Sequence, residues 1–355
     1  MAITSSGGTV SWLGLVLEAH LEHNYYDDSD FYALVWDPVA CQPQEVQTGT
    51  TRFAGPYDRD EVDATPEVRA AYEDWKTVAS ALRRRAEQPS FRPFELPVAV
   101  EVRSRLASHP VEGRNVVGVL PGAEAAVVLT AHYDHLGIGR AEAGDSIYNG
   151  AVDNCTASAV LLALAQAWAR TDSASRPTLV FVAADAEEEG LLGSTWQTRH
   201  PAVPLERVRG VVNFEMANPW GRTRDLKVIG APRAAFARWL EPVLAARGMR
   251  LIGDLVPEQG FLFRSDQLAW LQAGVPAAWL DGGMDYEGRP ADWGAARHGE
   301  YRARTYHHPG DEVAADFDYA GLAQLGEIAA ELVRRMAAEP AGAWRDDPEL
   351  AGMKR

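Results

Sequence analysis

Apolar runs alternate with amphipathic stretches over most of the chain. Val127–Leu129 is a short β-branched run, and Thr178–Ala183 (TLVFVA) is continuously apolar. Gly210–Met216 and Leu226–Ile229 have the same character. Short apolar runs bounded by turn residues predict buried strands. Between them the period changes to that of a helix. In Ala157–Arg170, Val160, Leu164 and Trp168 share one face, with Leu161 and Ala165 beside them. Gly193–Arg199 predicts a short helix, and Arg233–Arg247 and Tyr319–Ala338 predict long ones. This alternation predicts an α/β fold: a mixed, mostly parallel sheet with helices on both faces.

The first ninety or so residues follow another pattern. Phe31–Trp36 predicts a strand, with Glu45–Phe53 as a hairpin partner. Thr65–Glu87 predicts a helix: Thr65 is an N-cap, Pro66 suits the first turn, and Val68, Tyr72, Trp75, Ala79 and Leu82 form an apolar stripe. Pro89, Pro93 and Pro97 then break the chain. Two further strand-like runs, Val98–Val102 and Asn115–Val119, precede Val127. We therefore divide the chain into an N-terminal extension (1–92), a main domain (93–340) and a C-terminal tail (341–355).

Composition narrows the function classes. The 355 residues carry a net charge of −16, which disfavours nucleic acid and anionic membranes as partners. Only two cysteines are present, Cys41 and Cys155, so a disulfide framework is excluded. No run approaches the roughly 20 apolar residues of a membrane span, and the N-terminus lacks a basic leader pattern. These features point to a cytoplasmic protein.

Candidate chemistry collects near predicted strand ends, where open α/β sheets bind ligands. His132 and Asp134, two apart after Val127–Leu129, share a face of an extended segment. Asp153 precedes the first long helix. Glu187, Glu188 and Glu189 follow TLVFVA, Glu215 ends VVNFEM, and His307, His308 and Asp311 lie in YHHPGDE. A run of three glutamates is usually a solvated surface. Between a buried strand and an apolar GLLGS turn, at least one should point into the crevice. Adjacent glutamates there can divide two tasks, one binding metal and one facing the water that metal holds. His20 and His23 have helical spacing but no matching carboxylate, so they carry no site.

These five motifs, in order, resemble the M28 family of zinc exopeptidases over about Leu96 to Ala338. NVVGVLPG, FRSDQ with GVPAAWL, and HHPGDE add to the likeness. The resemblance implies a zinc-exopeptidase (phosphorylase/hydrolase-like) fold and two zinc ions. It implies His132, Asp153, Glu188, Glu215 and His307 as metal ligands, with Asp153 bridging and preceding a cis peptide. Glu187 becomes the general base, and Asp134 the carboxylate that orients His132. The implied substrate is a peptide or small amide, and the implied activity is that of an aminopeptidase. A carboxypeptidase, an amidohydrolase of acylated amino acids and a non-catalytic binding module are the alternatives. Three residues depart from the family pattern: Glu215 stands where aspartate is usual, Asn154 replaces an acid, and Gln267 follows Ser-Asp in place of histidine.

Overall fold

The computed structural model describes residues 32–37, 42–47, 92 and 112–354. The chain divides into two compact units, Met1–Val111 and Glu112–Arg355. In the first, β1 (Tyr32–Asp37) pairs antiparallel with β2 (Gln42–Gln47), Leu34 standing opposite Glu45. The partner of β1 thus starts three residues before the expected Glu45. Only four residues then separate the strands, within the usual range of a hairpin connection. The predicted helix 65–87, the run Val98–Val102 and the pair His20 and His23 lie outside the described residues.

The second unit is built on a seven-stranded sheet. Its strands are β3 (Val116–Leu120), β4 (Ala123–His132), β7 (Pro177–Ala184), β8 (Val208–Phe214), β9 (Asp225–Ala231), β10 (Arg250–Ile252) and β11 (Ala277–Gly282). They run in the order β10-β9-β11-β8-β4-β7-β3. Four of the six pairings are parallel; β3 on β7 and β11 on β9 are antiparallel. A separate hairpin, β5 (Gly137–Glu142) with β6 (Asp145–Tyr148), rises beyond β4.

Period-2 alternation sends β4 side chains to two cores. Val127, Leu129 and Ala131 face one side, where they meet α1 (Thr156–Ala169), α3 (Arg233–Ala245) and α6 (Ala320–Ala337). Ala126 and Val128 face the other, with Trp270 and Leu271 of α4 (Gln267–Gln272) and Leu350 of α7 (Pro348–Met353). α2 (Leu192–Arg199) and α5 (Trp293–Arg304) complete the helices of the described residues. The expected mixed, mostly parallel sheet with helices on both faces is therefore present. No helix of the described residues is long and apolar enough to cross a membrane.

The connection after β4 runs through α1 to β7 on one side of β4. The next crossover, through α2, returns to β8 on the other side. The strand order reverses around β4, and such a switch point opens a crevice at the carboxyl ends of the strands. β4, β7 and β8 end there at His132, Ala184 and Phe214.

Candidate active site

His132 is the last residue of β4 and is fully buried. Its Nδ1–H donates to the Asp134 carbonyl at 3.1 Å, which turns the Nε2 lone pair into the crevice. The Asp134 carboxylate is farther from that ring, 3.5 Å from Nδ1. It accepts instead from the backbone N–H groups of Glu187 and Glu188, at 3.1 and 3.2 Å. Asp134 thus orients His132 mainly through its backbone and fastens the glutamate loop with its side chain.

That loop leaves β7 in a tight turn. The N–H groups of Gly190 and Leu191 both donate to the Glu187 carbonyl. Gly190 has a φ of +97°, a conformation open to glycine and costly for other residues. The turn buries Glu187 and leaves Glu188 and Glu189 partly buried, although only 8% of the Glu188 side chain is exposed.

Asp153 lies in a five-residue turn, Ala151–Cys155, ahead of α1; it and Asn154 have non-helical backbone angles, and the peptide between them is cis. Gly150, at φ +65°, permits the entry to that turn, since a Cβ there would meet the Asp153 carbonyl at 2.5 Å. The buried Asp311 carboxylate accepts from the N–H groups of Val152 and Asp153 at 3.1–3.2 Å, and from the Tyr301 hydroxyl at 3.1 Å. Asn154 uses both ends of its amide: Nδ2 donates to the Phe214 carbonyl, and Oδ1 accepts from Met216 N–H. A carboxylate could not donate to that carbonyl, so the departure at 154 has a structural use. It ties the Asp153 turn to the strand end that carries Glu215.

The candidate ligands form one continuous chain of contacts. His132 Nε2 stands 3.3 Å from Asp153 Oδ1 and 3.2 Å from Glu215 Oε1. His307 Nε2 stands 3.2 Å from Asp153 Oδ2 and 3.3 Å from Glu188 Oε2. Ligands about 2.0–2.1 Å from a tetrahedral zinc ion are separated by about 3.3 Å, so all four contacts match the edge of such a tetrahedron. Asp153 Oδ1 and His307 Nε2 are buried without a hydrogen-bond partner among the described residues. An apolar-buried donor set of this kind fits a cation. The two oxygens of Asp153 belong to two different sets.

The extra methylene of Glu215 has a use as well. One oxygen faces His132, and the other accepts from Ser265 Oγ at 2.7 Å. Ser265 in turn accepts from Asn213, which also donates to Gln267 Oε1. Gln267 Nε2 donates to the carbonyls of Phe261 and Leu262. The residue found in place of the family histidine thus shapes the loop facing the crevice.

Charge is concentrated here. Burial opposes protonation of His132, but the carboxylates of Glu215 and Glu187, with Asp134 and Asp153, hold its pKa well above the imidazole range. His307 behaves likewise: Asp153 and Glu188 outweigh burial and raise it to about 10. Burial, then Glu215, Asp266 and Glu188, push Glu187 well above the carboxylate range despite the pull of His132. Glu215 is raised to about 7, chiefly by burial. A cluster with more buried acids than cations is the setting that a divalent ion neutralises.

Sequence reasoning missed two residues of this site. His135 Nδ1 lies 2.8 Å from Glu188 Oε1, a hydrogen-bond distance, so this ring positions Glu188. The signal was its place in HYDHLG, three residues after His132. Tyr306 stacks on His307 with centroids 3.8 Å apart at 22°. Burial and the carboxylates of Asp153, Glu188, Glu215 and Glu187 raise its pKa well above that of a free phenol, so it stays a donor. Nothing local in the sequence marks it.

The sequence profile of peptidase family M28 matches residues 115–333, well over half of the chain. The chain belongs to peptidase family M28. The crevice between β4, β7 and β8 is where this M28 domain gathers side chains of types that can hold a metal ion. Among solved structures it is similar to the Legionella pneumophila LapA aminopeptidase (17% identity, TM-score 0.47, covering 64% of this chain and 55% of that one). It is also similar to BSAP, a zinc aminopeptidase from Bacillus subtilis (21%, 0.46, 64% and 51%). A third is the Porphyromonas gingivalis glutaminyl cyclase (18%, 0.43, 77% and 90%). The chain spans about half the length of the two aminopeptidases. No curated protein sequence matches it.

Proposed function

We propose that this M28 metallopeptidase is a two-zinc exopeptidase that removes residues from the amino end of peptides. The observation that carries the reading is Asp153, whose two oxygens face separate donor sets: His132 with Glu215, and His307 with Glu188. Zinc at these sets supplies Lewis-acid polarisation of the scissile carbonyl and lowers the pKa of a water to near neutrality.

The protein's own groups do the rest. Glu187 is buried beside the His132 set, with no hydrogen bond to its carboxylate among the described residues. As general base it takes a proton from the attacking water and returns it to the leaving amine. A raised pKa suits the second of these tasks. Tyr306 keeps its proton and can donate to the oxygen that gains charge as the carbonyl becomes tetrahedral. Asp311, Asn154 and His135 hold the ligands in place, and Ser265 holds Glu215. The surplus of buried acid favours an α-ammonium over an α-carboxylate beside the ligands, which supports action at the amino end.

Peptides with free or acetylated amino ends, each with a free or amidated carboxyl end, test this with the zinc-loaded protein. Hydrolysis is expected only when the amino end is free. Hydrolysis that requires a free carboxyl end, or a blocked amine, would replace the aminopeptidase by a carboxypeptidase or an acyl-amino-acid hydrolase.

A further inference from the structure

One wall of the crevice takes no part in the chemistry above. β9 and β11 run antiparallel, with Lys227 opposite Asp281. Both side chains are buried, and they form an ion pair. Lys227 Nζ also lies 5.5 Å from the centroid of Trp279. Trp279 links this wall to the metal centre, because its indole N–H donates to the Glu215 carbonyl at 2.9 Å. Phe261 packs edge-on against Trp279 with centroids 6.0 Å apart. Two guanidinium groups then lie against Phe261: Arg264 at 5.9 Å and Arg302 at 5.7 Å. Arg302 belongs to the last turn of α5, just ahead of Tyr306 and His307.

The charges on this wall do not cancel. Asp281 matches Lys227. Arg302 has the Phe261 ring and no hydrogen bond or ion pair among the described residues. His298 packs nearby, at 3.0 Å from the Tyr286 hydroxyl. Burial, then Lys227, Arg302 and Arg297, hold its pKa down at about 3. An exposed guanidinium with no acidic partner among the described residues, in a chain of net charge −16, marks a place for a negative group. A guanidinium resting on an aromatic face is pre-oriented, and its N–H edge can grip a carboxylate with two parallel hydrogen bonds.

We propose that Arg302 anchors a carboxylate of the substrate and thereby selects which peptides this site cleaves. The carboxylate can come from an acidic first side chain or from the free end of a dipeptide. The inference rests on the aminopeptidase reading, which places the amino end at the acidic ligands and leaves this wall for groups farther along the substrate.

The test compares kcat/KM for glutamyl-anilide against leucyl-anilide, and for leucyl-glycine against its amide. Each pair has one member with the carboxylate. The wild type should favour the charged member of at least one pair, and that pair names the source. In Arg302→Gln this preference should fall about 10- to 100-fold, mostly through KM, the size expected when one charge-assisted anchor is lost. Arg302→Lys should recover part of it, since a point charge replaces the fork. Arg304→Gln, which removes an exposed cation paired with Glu300, should leave the preference unchanged. An Arg302→Gln preference equal to wild type, or an equal fall in Arg304→Gln, overturns the anchor. Calorimetric titration with glutarate and with glutaramide separates this from failure of the aminopeptidase reading. If none of the four peptides is hydrolysed, that reading falls; the anchor still stands if Arg302→Gln weakens glutarate alone, and falls if it does not.

Discussion

The metal side and the substrate side of the crevice are built differently. On the metal side, every candidate ligand sits at a strand end or on a turn fixed by other polar groups. Asp311 holds the Asp153 turn, Asp134 holds the glutamate loop, and Ser265 holds Glu215. On the other side, β10 and β11 are followed by irregular backbone. The segment from Pro257 to Phe263 forms only two short 3₁₀ turns, with Phe263 57% exposed. The first arrangement ties candidate ligands to supporting hydrogen bonds, which is what a metal site demands. The second presents aromatic faces and long cationic side chains, which suit recognition and tolerate variation.

The largest effect expected on the metal side comes from Glu187. Glu187→Gln keeps shape and removes the base, so kcat should fall by about two to four orders of magnitude, with bound zinc unchanged by elemental analysis. Glu188→Gln should instead weaken zinc, with activity partly recovered when zinc is added. Glu189, half-buried and raised to about 7 by burial, Asp134 and Glu188, touches none of the candidate ligand atoms in the contacts above. Glu189→Gln should be nearly silent. Damage at Glu189 equal to that at Glu187 would shift the roles by one residue.

Next in size is the support of the ligands. Asp311→Ala leaves the Val152 and Asp153 N–H groups without their acceptor and frees the turn. Zinc affinity should drop about 10- to 100-fold, the usual cost of losing a group that orients a ligand. Chelator competition measures this. An unchanged affinity would show that the turn holds itself.

The substrate wall should instead reveal itself in stability against pH. His298 is depressed to about 3 when folded, against about 6.5 when unfolded. Between those values the unfolded chain binds the extra proton, so stability is full above pH 6.5 and is lost as pH falls. By pH 4 this single group can cost on the order of 2–3 kcal/mol. His298→Gln should flatten the acid limb of a plot of Tm against pH relative to wild type; an identical limb would refute the assignment. The smallest effect is expected at Cys155. Cys155 closes the turn ahead of α1 and is exposed. Cys155→Ala should keep both metals and most activity.

Sequence and structure contributed unequally to the two sides. On the metal side, a buried strand followed at once by His or Glu is a local pattern, and the family motifs add the register. His132, Asp153, Glu187, Glu188, Glu215 and His307 could therefore be nominated from the chain alone. His135 offered only its place three residues after His132, since its partner Glu188 lies 53 residues away, and Tyr306 offered nothing, since its role rests on a ring stack with His307. The departures at 154, 215 and 267 looked like losses in sequence and prove to be connections in space.

By itself, the sequence determined the α/β alternation, most strand and helix positions in residues 112–354, the acidic character of the centre and the family. These follow from periods of two and 3.6 residues and from motifs a few residues long, all of which are local. The tertiary structure alone decided the strand order around β4, the sharing of Asp153 between two donor sets and the placing of Lys227 against Trp279 and Arg302 against Phe261. Each of those depends on distances between residues far apart in the chain. Such distances are set by how the two cores pack against the sheet, and no local period encodes them.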